Sequence, residues 1–122
     1  MSTDFDWTTG YLANGLHCYR CQQFFEAHEH WECVWLTLQE PEKSFLQALV
    51  QISAAFHHLV RGNRAGAISL LARALRRLDR SPAEFCGLSV ATIRDQSRQW
   101  LQVLESPNTD FPETFPTFEI LA

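Results

Sequence analysis

The fold is decided by residues 41 to 80, PEKSFLQALVQISAAFHHLVRGNRAGAISLLARALRRLDR. Apolar residues recur at helical spacing from about residue 41 to 61, which predicts one long helix of roughly 30 Å at about 1.5 Å per residue. Pro41 suits its first turn, where the missing N–H has no partner to lose. The helix stops at Arg61-Gly62-Asn63. Gly62 is placed to take the left-handed conformation past a helix end and Asn63 to cap the next helix, so almost no loop separates the two. The next helix, about residues 64 to 79, is amphipathic: Ala67, Leu71, Ala74, Leu75 and Leu78 make one face, and Arg73, Arg76, Arg77 and Arg80 recur at i, i+3, i+4 and i+7 on the other. Cations near a helix C-terminus are favoured by its dipole and solvate the outer face, the simplest account of that stripe; phosphate or RNA contact is the alternative, with no interleaved aromatics to support it.

Outward from this pair the pattern stays helical. A first helix is predicted from Thr8 or Thr9 to Tyr19, with Tyr11, Leu12, Leu16 and Tyr19 at core spacing, and a second over residues 22 to 38, ending before Pro41. Residues 81 to 87 read as a loop, after which Ser89 caps a fifth helix over residues 90 to 105 with Ile93, Trp100, Leu101 and Leu104 inward. No stretch alternates like a strand. From Ser106 the chain holds Pro107, Pro112 and Pro116 among Phe111, Phe115 and Phe118, which forbids a helix through its middle and suits an extended strap over the bundle better than a free partner-binding motif. The expectation is an all-α fold: a compact bundle of about five helices with a long central third helix and an extended C-terminal tail. Phe24-Phe25-Glu26-Ala27 and Arg64-Ala65-Gly66-Ala67 each start a helix just after a tight turn, forty residues apart, the spacing of helical-hairpin repeats.

Composition agrees with a single domain over residues 1 to 122, its helical core at 8 to 105 and its Pro/Phe tail at 106 to 122. The chain is 46% hydrophobic and holds four Trp and nine Phe, enough core to need no metal or disulfide for stability. That apolar fraction excludes disorder, and no run of about 18 uncharged apolar residues offers a membrane span. Asp4 and Asp6 stand where a signal peptide would be basic, so a cytoplasmic protein is expected. The net charge is −4, yet residues 61 to 80 hold six Arg against Asp79 alone. An acidic whole disfavours nucleic acid as a partner, and homo-oligomers stay open. Cys18, Cys21, Cys33 and Cys86 are expected reduced. Cys18 and Cys21 form a CxxC, but no second pair completes a zinc site, and no cofactor is called for.

Candidate chemistry lies on the second and third helices. His28 and Glu32 are one helical turn apart, with Trp35 on the same side and Glu29 at its edge. On the third helix Gln47, Gln51, His58 and Arg61 fall in a stripe roughly 80° wide at about 100° per residue. Antiparallel pairing of the two helices would let one polar stripe face the other. Three readings fit. The groups can be a structural network that fixes register, or they can line a ligand or partner pocket. Or His28, Glu32 and His58 can hold a metal, with Glu29 as general base of a hydrolase, although Glu32 stands where the zinc-protease pattern HExxH has its second His. His30 and His57 fall elsewhere on their helices and read as surface or packing residues.

Phe25-Glu26-Ala27-His28-Glu29 with Trp31-Glu32 and Trp35, then Phe45-Leu46-Gln47 with Gln51, then His58 with Arg61-Gly62-Asn63 and Gly66-Ala67, resembles the bacterial and cyanobacterial domain-of-unknown-function family 309. The resemblance runs over residues 8 to 105. It implies a compact all-helical bundle and polar motif positions at His28, Glu29, Glu32, Gln47, Gln51, His58, Arg61 and Asn63. It implies no particular activity, and the Cys pair and the tail lie outside the pattern.

Overall fold

Helices α1 (Gly10–Arg20) and α2 (Phe24–Trp35) are joined by Cys21-Gln22-Gln23, and helices α3 (Glu42–Val60) and α4 (Arg64–Leu78) by Arg61-Gly62-Asn63, in the computed structural model, which describes residues 5–106 and 108–121. The two turns have one geometry. Cys21 and Arg61 share φ/ψ of −89°/8° and −93°/8°; Gln22 and Gly62 are left-handed at φ 61° and 82°; Gln23 and Asn63 follow at −90°/72° and −96°/77°. In each, the residue that opens the next helix returns its N–H to a carbonyl five residues back, Cys18 or His58, both at 2.8 Å, satisfying a carbonyl the ending helix leaves over. Four residues into α2 and α4, Ala27 and Ala67 are fully buried. The forty-residue echo is therefore a duplicated hairpin, one copy turning on Gly62 and the other on Gln22, where no glycine advertises it.

The hairpins pack through α2 and α3. Phe24 meets Phe56 with centroids 5.7 Å apart, and Trp31, Ala27, Leu49 and Ile52 are fully buried there. On its other flank α3 packs against α4, whose Ala67, Leu71, Ala74, Leu75 and Leu78 are all buried as expected. Helix α5 (Val90–Leu104) runs back along α4 and is tied to both its ends by arginine. Arg64 donates through Nε to the Leu104 carbonyl at 2.8 Å, and Arg94 through Nη2 to the carbonyls of Leu78 and Ser81 at 3.0 and 2.9 Å.

The tail is a strap. Tyr19 Oη donates to the Pro116 carbonyl at 2.7 Å, Trp100 Nε1 to that of Thr114 at 2.9 Å and Arg20 Nη2 to that of Phe118 at 3.1 Å. Phe118 stacks on Tyr19 at 4.3 Å and Phe115 on Trp100 at 5.3 Å. Phe111 stays 47% exposed. Pro107 and Asp4, invoked above, lie outside the described residues.

Several expectations change. Residues 81 to 89 are more than a loop: β1 (Glu84–Phe85) and β2 (Leu88–Ser89) form a minimal antiparallel hairpin, and its two central residues, Cys86 and Gly87, sit at φ 52° and 79°. Positive φ at both positions is what a two-residue turn needs to match strand twist. The Leu121 N–H donates to the Gly87 carbonyl at 2.9 Å, so the tail finishes against this hairpin. Helix α2 ends at Trp35, which makes residues 36 to 41 the link to α3, and Pro41 is the N-cap rather than the first helical residue. Tyr11 is 54% exposed because α1 buries only the Leu12, Gly15, Leu16 and Tyr19 side. Among the described residues no helix is long and apolar enough to cross a membrane.

Candidate anion-binding site

Arginine gathers on the flank where α3 meets α4. The tight turn at Gly62 makes the two helices antiparallel, which sets the first half of α3 against the C-terminal half of α4. Ser44 and Gln51, two turns apart on α3, then lie beside the stripe Arg73, Arg76, Arg77 and Arg80. Arg77 donates through Nη1 to Ser44 Oγ at 3.0 Å, which fixes one guanidinium. A recess of about 280 Å³ opens there, lined by Gln51, Arg73, Arg76, Arg77 and Arg80. Gln51 is 7% exposed, and its Oε1 is buried without a hydrogen-bond partner among the described residues.

The charge of the recess is uncompensated. Among the described residues no carboxylate lies within 4.0 Å of these four arginines. Asp79, next to them in sequence, turns to α5 instead, meeting Arg98 at 3.1 Å and Arg94 at 3.6 Å. Within α4 the stripe contains two like-charge pairs, Arg73 with Arg76 and with Arg77, each costing a helix about 0.2–0.5 kcal/mol, or roughly 0.4–1 kcal/mol together at low salt. The helix dipole offsets part of this for Arg76 and Arg77 in the last turn. A bound anion would remove the rest, and guanidinium forks match carboxylate and phosphate oxygens two at a time.

The polar residues expected to share one interhelical pocket are dispersed. His28 and Glu32 pair at 3.0 Å, their side chains 26% and 49% exposed; His28 Nδ1 is buried without a partner, and Glu29 is exposed. Trp35 lies under Lys43, whose Nζ is 4.4 Å from the ring centroid. His58 Nδ1 lies 3.1 Å from Asn63 Nδ2, while Asn63 Oδ1 accepts from the Gly66 N–H at 2.9 Å and caps α4. Arg61 is exposed and Gln47 half-buried. Aromatic and aliphatic side chains fill the α2–α3 seam, so Gln51 points to α4 rather than α2.

His58 is engaged with Asn63 of the α3–α4 turn, and among the described residues no three His, Cys, Asp or Glu are grouped to hold a metal ion. The Phe25 ring lies between two histidines, 5.2 Å from that of His57 and 5.8 Å from that of His28. Burial holds the His57 imidazole below its ordinary value, helped by Arg61 and His58 and opposed by Glu26. His30 lies against Tyr11 at 6.1 Å, a packing role. All four cysteines are free; the Cys86 thiol is pushed up to about 12, mostly by burial and then by Glu42.

Fold and site together define a class: an all-helical protein of two duplicated hairpins and a closing helix, with a cation-lined recess on the α3–α4 flank. Residues 12–70 match the family described as Domain of unknown function (DUF309), the family the motifs resemble. The match ends in the middle of α4, short of the 8 to 105 read from the motifs. It includes Gln51 and stops before Arg73. No curated protein matches the chain.

Proposed function

We propose that this protein is a binding module for a compact anion of the phosphate or carboxylate class, taken in the recess between α3 and α4. The observation that carries the reading is four guanidiniums around one recess with no described carboxylate beside them, one held in place by Ser44, against the nearly buried Gln51. The chain as a whole carries −4, which repels an extended polyanion and leaves a small anion, able to sit inside the local positive field, as the favoured ligand. Of the polar residues singled out in the sequence, Gln51 lines this recess, and His28, Glu29, Glu32 and His58 are not among its lining residues.

The test is calorimetric titration with inorganic phosphate at constant ionic strength, on the wild type and on Arg73→Gln/Arg77→Gln. Saturable binding to the wild type is expected, with affinity at least about tenfold lower in the double variant, since a charge-assisted hydrogen bond contributes about 1.5–3 kcal/mol. Equal binding by both proteins, or none by either, overturns the proposal.

A further inference from the structure

The recess also constrains what its anion looks like, and this inference rests on the anion-binding reading above. One phosphate monoester has three free oxygens and carries about −1.5 to −2 at neutral pH, so roughly two guanidinium forks saturate it. Four arginines match two such groups in both charge and hydrogen-bonding capacity. Carboxylates, each with one charge and two oxygens, would be needed in about double that number to do the same. The arginines are also spread along the chain: Arg73 lies inside α4 and Arg80 in the turn two residues past its end at Leu78. Two separated anionic groups fit that array better than one.

The rest of the lining describes what joins them. Gln51 presents a buried amide with an unpaired acceptor, and an unmatched buried acceptor is satisfied by a ligand that brings a donor. A hydroxyl does so. The lining contains no aromatic ring, in a chain with nine Phe and four Trp, so no ring stacks a nucleobase. The volume, about 280 Å³, falls at the small end of ligand sites. We infer that the ligand is a small non-aromatic polyol carrying two phosphate groups, its phosphates shared among Arg73, Arg76, Arg77 and Arg80 and a hydroxyl donating to Gln51.

Titration calorimetry at fixed ionic strength with inorganic phosphate, a hexose 6-phosphate, a hexose 1,6-bisphosphate, ATP and a short single-stranded RNA tests this on the full chain. The bisphosphate is expected to bind at least about tenfold tighter than either monophosphorylated probe and tighter than ATP, the loss of each well-made charged contact being worth about that factor. Arg73→Gln and Arg80→Gln, both at exposed positions, are each expected to bring the bisphosphate toward monophosphate affinity. Gln51→Leu is expected to lower bisphosphate affinity more than inorganic phosphate affinity, with Gln51→Asn as the second variant should the larger change disturb packing. If inorganic phosphate binds through the arginines but the bisphosphate is no tighter, or ATP is tighter, this inference falls while the anion-binding reading stands; if RNA is tighter, the compact-anion reading falls with it. If no probe binds in an arginine-dependent way, both fall.

Discussion

Replacing glycine by alanine inside a helix ordinarily stabilises it by about 1 kcal/mol. At Gly15 the sign is expected to reverse. Gly15 lies in the middle of α1 where α2 crosses closest, and a Cβ built on it falls within contact of Nε1, Cδ1 and Cε2 of the Trp31 indole. Trp31 has nowhere to go. It is fully buried, with Trp7 edge-on at 6.3 Å and Phe118 at 5.6 Å, and its Nε1 donates to the Leu12 carbonyl at 3.2 Å. Forcing an extra carbon into such a core costs about 1–3 kcal/mol, and displacing the indole from its hydrogen bond costs about 1 kcal/mol more. Subtracting the helix gain of about 1 kcal/mol leaves Gly15→Ala destabilising by about 1–3 kcal/mol. Urea unfolding followed by far-ultraviolet circular dichroism measures it, and a double-mutant cycle isolates the cause. In a Trp31→Ala background the clashing ring atoms are gone, so Gly15→Ala should become neutral or stabilising there. An alanine that stabilises the otherwise wild-type protein would refute the reasoning, because helix propensity would then outweigh a contact that cannot exist.

The strap can be tested by comparing two of its phenylalanines: Phe118→Ala, 1% exposed, should cost about 3–5 kcal/mol, and Phe111→Ala, 47% exposed, less than about 1 kcal/mol, in the same urea assay. Similar small effects for both would mean that the tail does not pack. His57 should titrate below its ordinary value of 6.5 in an NMR titration of the imidazole protons, with burial, Arg61, His58 and His28 lowering it against Glu26. Because the unfolded chain then binds the proton more readily than the folded one, stability is full above 6.5 and declines as pH falls below it. The wild type should therefore lose more stability than His57→Gln between about pH 7.5 and about pH 5.5, and identical losses would contradict the assignment.

The end of α3 and the start of α4 were legible because they rest on local chemistry. Gly62 ends one helix by its left-handed backbone and Asn63 opens the next with its side-chain cap, and the apolar stripe of α4 is buried residue for residue. The left-handed residue of the equivalent turn, Gln22, was not legible, since it is not a glycine and only the second hairpin shows what it must be. The Cys86-Gly87 turn was missed likewise: two residues per strand are too few to show alternation. For the site, the arginine stripe was visible as a pattern, and so was Gln51, but on separate helices with separate interpretations. The stripe angle on α3 placed Gln51 with His58 and Arg61. A helix packed on several sides has more than one inner direction, however, and periodicity does not say which neighbour occupies which.

The sequence by itself determined the helices, the tight turn that makes α3 and α4 antiparallel, and the sign and spacing of the charges on α4, because capping, periodicity and charge are local. Only the tertiary structure decided that α2 meets α3 through aromatic rings, that His58 is engaged with Asn63, and that Gln51 lines a recess beside four arginines. Those outcomes depend on how helices rotate about their axes to fill space, and that rotation is set by the packing of Trp31, Phe56 and Phe118 from three distant parts of the chain.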